Sequence, residues 1–203
     1  MSKVFVIDPD YGIRRMFLEM GWGIAEDIEQ ADVIQFTGGE DVDPSYYGEP
    51  KHAATRSNPK RDAFEASIYN NYVGKIPMAG ICRGAQFLNV MNGGSLWQHV
   101  TNHAISGTHE AFCRLSEIPV QVSSTHHQMM RPTDRAKILM TAEICQSKQS
   151  YNHEEPGALA PDIEAVFYPD TSCLCYQPHP EFVGVNHECR ITYFKYLERL
   201  IIN

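Results

Sequence analysis

Apolar positions recur along this chain in two rhythms. Short β-branched runs stop abruptly at turn residues: "KVFVID" (3–8) at Asp8-Pro9-Asp10, and "ADVIQF" (31–36) at Thr37-Gly38-Gly39. A third run, "IPMAGI" (76–81), leads straight into a cysteine. Between these strands the spacing is helical. Ile13, Met16, Phe17 and Met20 share one face of "IRRMFLEM", and Phe64, Ile68, Tyr72 and Val73 one face of 61–73. "RGAQFLNVM" (83–91) reads as a helix ended by Asn92-Gly93-Gly94. The second half is richer in strands, predicted at 118–124, 136–143, 163–168 and 172–177, and 189–202 closes the chain as an amphipathic helix.

Strands alternating with helices predict an α/β fold. Its central sheet is mostly parallel with helices on both faces, a three-layer arrangement, and a few antiparallel strands are added later. Neither a repeat nor a linker interrupts the pattern, so residues 1–203 read as one domain. Residues 40–60 form a long polar loop, a length usually reserved for function.

Composition narrows the function classes. A formal charge of −8 and the absence of any Lys/Arg run argue against a nucleic-acid partner. The acidic start and the lack of a long apolar run predict neither a signal peptide nor a membrane span, which leaves a cytoplasmic location. Six cysteines, at 82, 113, 145, 173, 175 and 189, lack scaffold spacing and read as reduced thiols. Cys173, Cys175, His179, His187 and Cys189 cluster in sequence but contain no Cys-x-x-Cys pair, so no metal site is expected.

The chemistry concentrates at "PMAGICRGAQFLN" (77–89). A strand, Gly80-Ile81-Cys82-Arg83-Gly84 and a helix make the pattern of a nucleophile elbow, with small residues two before and two after the nucleophile. A thiol at a helix N-terminus is biased toward thiolate by the macrodipole. "YQPHPEF" (176–182) offers a base: His179 and Glu181 are two apart at a strand end, so the carboxylate can orient the imidazole. Oxyanion donors are available at the N–H of Arg83 and at the Gly38-Gly39 pair.

Together these segments resemble the class I glutamine amidotransferases, and within them the γ-glutamyl hydrolase and γ-glutamyl-GABA hydrolase branch. The likeness is carried by "TGGEDVDPSYYGE" (37–49), "RDAFE" (61–65), residues 76–100, "VSSTHHQM" (122–129) and "YQPHPEF". It implies a flavodoxin-like sheet and a triad of Cys82, His179 and Glu181, with oxyanion N–H groups from Gly39 and Arg83. It also implies substrate contacts from Gln86, His126, Gly38, Asp43 and Tyr47, with Asp43, Pro44 and Tyr47 shaping the pocket mouth and His127 as a neighbour. No cofactor is expected.

The implied reaction is attack of Cys82 on a γ-glutamyl amide, a thioester intermediate, and release of glutamate. The substrate is then a small γ-glutamyl compound, either glutamine or a γ-glutamyl amine or peptide. Two alternatives share the residues: a glutaminase subunit feeding ammonia to a separate synthase, and an idle binding or regulatory protein on the same fold. A homo-oligomer is compatible with each. Two departures from the family pattern bear on substrate identity. The strand after the first helix shrinks to "GWGIA" (21–25), and Pro178 stands where the family has a large aromatic residue.

Overall fold

A computed structural model describes residues 1–8, 10–101, 103–142, 148–150, 153–155 and 162–202. Pro9, Cys145 and the end of the strand expected at 136–143 fall outside them. In chain order the strands of the main sheet are β1 (Lys3–Val6), β2 (Gly23–Ile24), β3 (Val33–Phe36) and β4 (Met78–Ile81). Two short pairs follow, β5 (Ser95–Trp97) with β9 (Met129–Arg131), and β6 (His99–Val100) with β11 (Lys148–Ser150), which also pairs β12 (His153–Glu155). The sheet is completed by β7 (Ala104–Cys113), β8 (Ile118–Thr125), β10 (Lys137–Ala142), β13 (Asp162–Tyr168) and β14 (Cys173–Tyr176). The helices are α1 (Tyr11–Glu19), α2 (Pro59–Tyr72), α3 (Arg83–Met91) and α4 (Glu188–Leu197).

The nine main strands lie in the order β2-β1-β3-β4-β14-β13-β10-β7-β8. Pairings from β2 through β14 are parallel, and those from β14 through β8 antiparallel. The expected parallel sheet is therefore present, and its antiparallel addition is a four-strand extension. Period-two alternation sorts side chains to opposite faces. Leu174 and Tyr176 join α1 and α4 on one side, while Cys173 and Cys175 join α2 and α3 on the other. Cys189 belongs to the first face, so the sequence cluster of cysteines does not converge on one point.

On the first face Phe17 of α1 meets Trp22, Tyr193 and Phe194 edge-on, with centroids 5.4, 6.4 and 5.2 Å away. Such pairs contribute roughly 0.5–1.5 kcal/mol each beyond area burial. They clamp α1 to α4, and α4 in turn holds the segment after β14. Arg190 donates from Nε to the Pro180 carbonyl at 3.0 Å and from Nη1 to Glu19 at 2.7 Å.

Besides the short strands β5, β6, β9, β11 and β12, three elements differ from the sequence expectation. β7 was not predicted: its first half is exposed and polar, and it is held by pairing with β8 rather than by an apolar face. The closing helix ends at Leu197, with a wider π-type turn at 198–202. On α2, Phe64 is 54% exposed, and the buried face carries Asp62 and Glu65 beside Ile68 and Tyr69. The reason is a buried cation on α3.

Candidate active site

Three adjacent parallel strands end together. Phe36 of β3 is in register with Gly80 of β4, and Tyr176 of β14 with Ile81 of β4. The segments beginning at Thr37, Cys82 and Gln177 therefore emerge side by side, at the carboxyl edge where open α/β sheets place their sites.

Cys82 occupies the turn between β4 and α3 with φ 50° and ψ −110°. A non-glycine residue there is strained, and the surroundings hold it. Its N–H donates to Tyr176 O at 2.9 Å, and its carbonyl accepts from Gln86 N at 3.0 Å. The flanking glycines permit the turn by close approach. A Cβ on Gly80 would stand 2.3 Å from the Gly84 carbonyl carbon, and one on Gly84 2.4 Å from Phe36 O. Strand, turn and helix are thus pressed together, and the sulfur sits at the N-terminus of α3.

His179 is fixed from three directions. Its N–H donates to Ser123 Oγ at 2.7 Å, its ring stacks on Phe182 at 4.4 Å, and Nδ1 lies 2.5 Å from Glu181 Oε1. Burial disfavours the imidazolium, but the charge and hydrogen bond of Cys82 and those of Glu181 outweigh it, raising His179 to about 10. The structure thus brings Cys82, His179 and Glu181 together, with the imidazole between sulfur and carboxylate.

Cys82 opens onto a cavity of about 160 Å³. Gly39, Arg83, Gln86 and His126 line it, as do Glu40, Asp41, Arg56, Thr125, His127 and Gln128. Gln86 Nε2 donates to Gln128 O at 3.0 Å and Gln177 Oε1 at 3.2 Å, so its contribution to a ligand is that of an acceptor. His126 is buried, with Nδ1 2.9 Å from Gln128 O, and burial pushes its pKa down to about 4. His127 lies 3.2 Å from Asp41, whose hydrogen bond raises its pKa.

Gly38, Asp43 and Tyr47 do not line this cavity. Gly38 underlies His179: a Cβ there would meet imidazole Cε1 at 2.9 Å. The Asp43 carboxylate accepts from Ser45 N at 3.1 Å and Ser57 Oγ at 2.7 Å, capping the 3-10 turn Pro44–Tyr47. Tyr47 packs against the second core, and its buried hydroxyl is held protonated by desolvation. None of the three is therefore placed to touch a ligand in this cavity.

Sequence reasoning missed the residues that hold the elbow. The Arg83 guanidinium is buried and paired with both Asp62 and Glu65, which α2 presents at i and i+3. Arg61 donates to Glu65 at 2.8 Å and to Thr37 Oγ1 at 2.9 Å. A Cβ on Gly39, which has φ 140°, would fall 2.1 Å from Arg61 Nη1. The available signal was the acid spacing in "RDAFE", a segment noted for its likeness and given no role.

The Peptidase C26 profile matches residues 19–181, from the end of α1 to Glu181 itself. The chain belongs to the Peptidase C26 family. It is 30% identical over 179 residues to "Putative glutamine amidotransferase Rv2859c" of Mycobacterium tuberculosis, covering 76% of this chain and 52% of that one. It is 33% identical over 147 residues to Protein NtpR of Enterococcus hirae, covering 70% and 59%. The chain thus spans little more than half the length of these relatives. A glutamine amidotransferase from Thermotoga maritima shares the fold, with TM-score 0.60, 18% identity, and coverage of 100% of this C26 chain and 86% of that one. Among the described residues, no helix is long and apolar enough to cross a membrane.

Proposed function

We propose that the chain is a cysteine-dependent hydrolase of γ-glutamyl amide bonds. The observation that carries the reading is the Cys82–His179–Glu181 relay opening onto a small cavity with walls of both charge signs. A glutamyl group ends in an α-carboxylate and an α-ammonium. Arg56 suits the first, and Glu40, Asp41 and the Gln86 carbonyl suit the second. About 160 Å³ accommodates this half and leaves the amine half outside.

In the proposed reaction the Cys82 thiolate adds to the δ-carbonyl carbon, with His179 as its imidazolium counter-ion. The oxyanion is met by the N–H groups of Gly39 and Arg83, the latter free at the first turn of α3. The C–N bond breaks as His179 gives its proton to the leaving nitrogen. His179 then takes a proton from water, which attacks the thioester, and glutamate leaves. Glu181 holds the ring through Nδ1 and leaves Nε2 for both transfers.

A second reading, ammonia supply to a synthase, is favoured by the surface behind Glu181. A groove of about 600 Å³ there includes Tyr11 and Val185, 79% and 43% exposed, and Phe182 beside it is 64% exposed. A solved relative in fold, from the structure of PurLQS of Thermotoga maritima, has TM-score 0.63 and 15% identity, covering 97% of each chain. Hydrolysis assays with glutamine, γ-glutamyl-GABA, γ-glutamyl polyamines and γ-glutamyl peptides separate the two. Turnover of the conjugates supports the hydrolase; turnover of glutamine alone, and only beside a partner, replaces it with the second reading.

A further inference from the structure

Behind the His126 wall of the cavity, β7, β8 and β13 bring a group of imidazoles around one carboxylate. Glu164 of β13 is fully buried, and its ion-pair partners among the described residues are His103, His109 and His126. His109 Nε2 lies 3.0 Å from Glu164 Oε1, and His103 Nδ1 lies 3.6 Å from the same oxygen. These three donor atoms all fall within 4.8 Å of one another. The register of β7 against β8 shifts between Ala104 and Thr108, so an irregularity separates His103, just before the strand, from His109 within it.

The hydrogens in this group do not suffice for its lone pairs. The Gln128 carbonyl can only accept, so the His126 proton sits on Nδ1 and Nε2 carries a lone pair. Among the described residues that nitrogen is buried without a hydrogen bond and faces Glu164 Oε2 at 4.0 Å, an oxygen that is also buried and without one. His103 repeats the problem. Its Nε2 is 3.0 Å from Asp162 Oδ2 and its Nδ1 is 3.2 Å from Ser124 Oγ, whose own proton goes to the His103 carbonyl at 2.6 Å. A neutral ring with its proton toward Asp162 turns a lone pair toward Ser124 and Glu164. Acceptors therefore face acceptors where His103, His126 and Glu164 are buried, and a cation is what they lack.

We propose that His103 Nδ1, His109 Nε2 and the Glu164 carboxylate bind a divalent first-row transition ion of the zinc type. Two imidazoles and a carboxylate are the donors such ions prefer. The separations of 3.0 and 3.6 Å bracket the ~3.3 Å edge of a tetrahedron with zinc-like bond lengths. Asp162 behind His103 is the carboxylate that commonly orients a metal-binding histidine. The lone pair of His126 borders the site, which makes that residue a shared wall between ion and cavity. His103 and His109 flank and enter β7 while Glu164 comes from β13, more than fifty residues on, so no compact spacing motif announces them.

The test uses the untagged full chain, stripped with EDTA and titrated with Co²⁺ and then Zn²⁺. The expected result is one Co²⁺ per chain with visible d–d absorption and no thiolate charge-transfer band, displaced stoichiometrically by Zn²⁺. The His109→Gln protein should bind at least about tenfold more weakly. Absence of binding, a thiolate band, or unchanged affinity in His109→Gln overturns the proposal. If that variant does not fold, the wild-type cobalt spectrum decides alone, since nitrogen and oxygen ligands are distinguished there from sulfur.

Discussion

A Cβ placed on Gly38 would stand 2.9 Å from Cε1 of His179, so the imidazole abuts a position that only hydrogen can fill. Gly38 thus sets where the base sits relative to Cys82. The Gly38→Ala protein should fold, because the neighbour that must move is a side chain, but its base will be displaced. Displacements on the order of 1 Å cost about 10²-fold in rate. Steady-state kinetics should show that loss in kcat with near-normal thermal unfolding. Unchanged kcat would show that the ring's position is not set here.

The buried ion pairs of Arg83 with Asp62 and Glu65 predict a stability effect of a different kind. Arg83→Met leaves the buried Asp62 carboxylate without its cation and Glu65 with Arg61 alone, which should cost about 3–5 kcal/mol in urea unfolding. Burial already raises the Asp62 carboxyl against the pull of Arg83, so without Arg83 it binds a proton more tightly in the folded than in the unfolded state, and the variant should regain stability as pH falls. Adding Asp62→Asn and Glu65→Gln should recover most of the loss at neutral pH. A triple variant as unstable as Arg83→Met would place the cost elsewhere.

What the sequence made legible was local. The elbow is one strand, one turn and one helix, and Gly80 and Gly84 announce it because backbone meets backbone at both. His179 and Glu181 are two residues apart and share one strand end. Features built from distant segments were not legible. Asp62 and Glu65 on a buried helix face are explained only by Arg83, some 20 residues on, and Phe64 took their place in the apolar pattern. Asp43 reads as a pocket residue until its carboxylate is seen capping its own turn. His103, His109 and Glu164 meet only because the sheet order brings β7 within one strand of β13, across β10.

The raised pKa of His179 predicts a pH-dependent stability. The folded value, about 10, lies above the ordinary imidazole value of 6.5. The imidazolium therefore stabilises the fold fully below pH 6.5, and this contribution is lost as pH rises through about 10. Urea unfolding across this range, with His179→Gln as reference, should show a wild-type advantage that shrinks with rising pH. Glu181→Gln removes one cause of the shift and should move the decline to lower pH. A difference that stays constant with pH would show that His179 is neutral throughout.

The cavity wall carries the most specific expectation about substrate. Arg56 is the cationic side chain there other than the buried Arg83, whose charge is already taken by two carboxylates. The Arg56 backbone N–H donates to Asp41 Oδ2 at 2.8 Å, and its Nη1 donates to Ala53 O at 2.9 Å, so the guanidinium is held at the rim. If it receives the α-carboxylate of a γ-glutamyl group, that contact exists equally in the ground and transition states. Its loss should then raise KM and leave kcat nearly unchanged. Arg56→Ala should raise KM about tenfold or more for every γ-glutamyl substrate tested, whatever its amine half. A substrate lacking the α-carboxylate should be a poor one for wild type and insensitive to the substitution. A fall in kcat at constant KM would instead place Arg56 in the chemistry of Cys82.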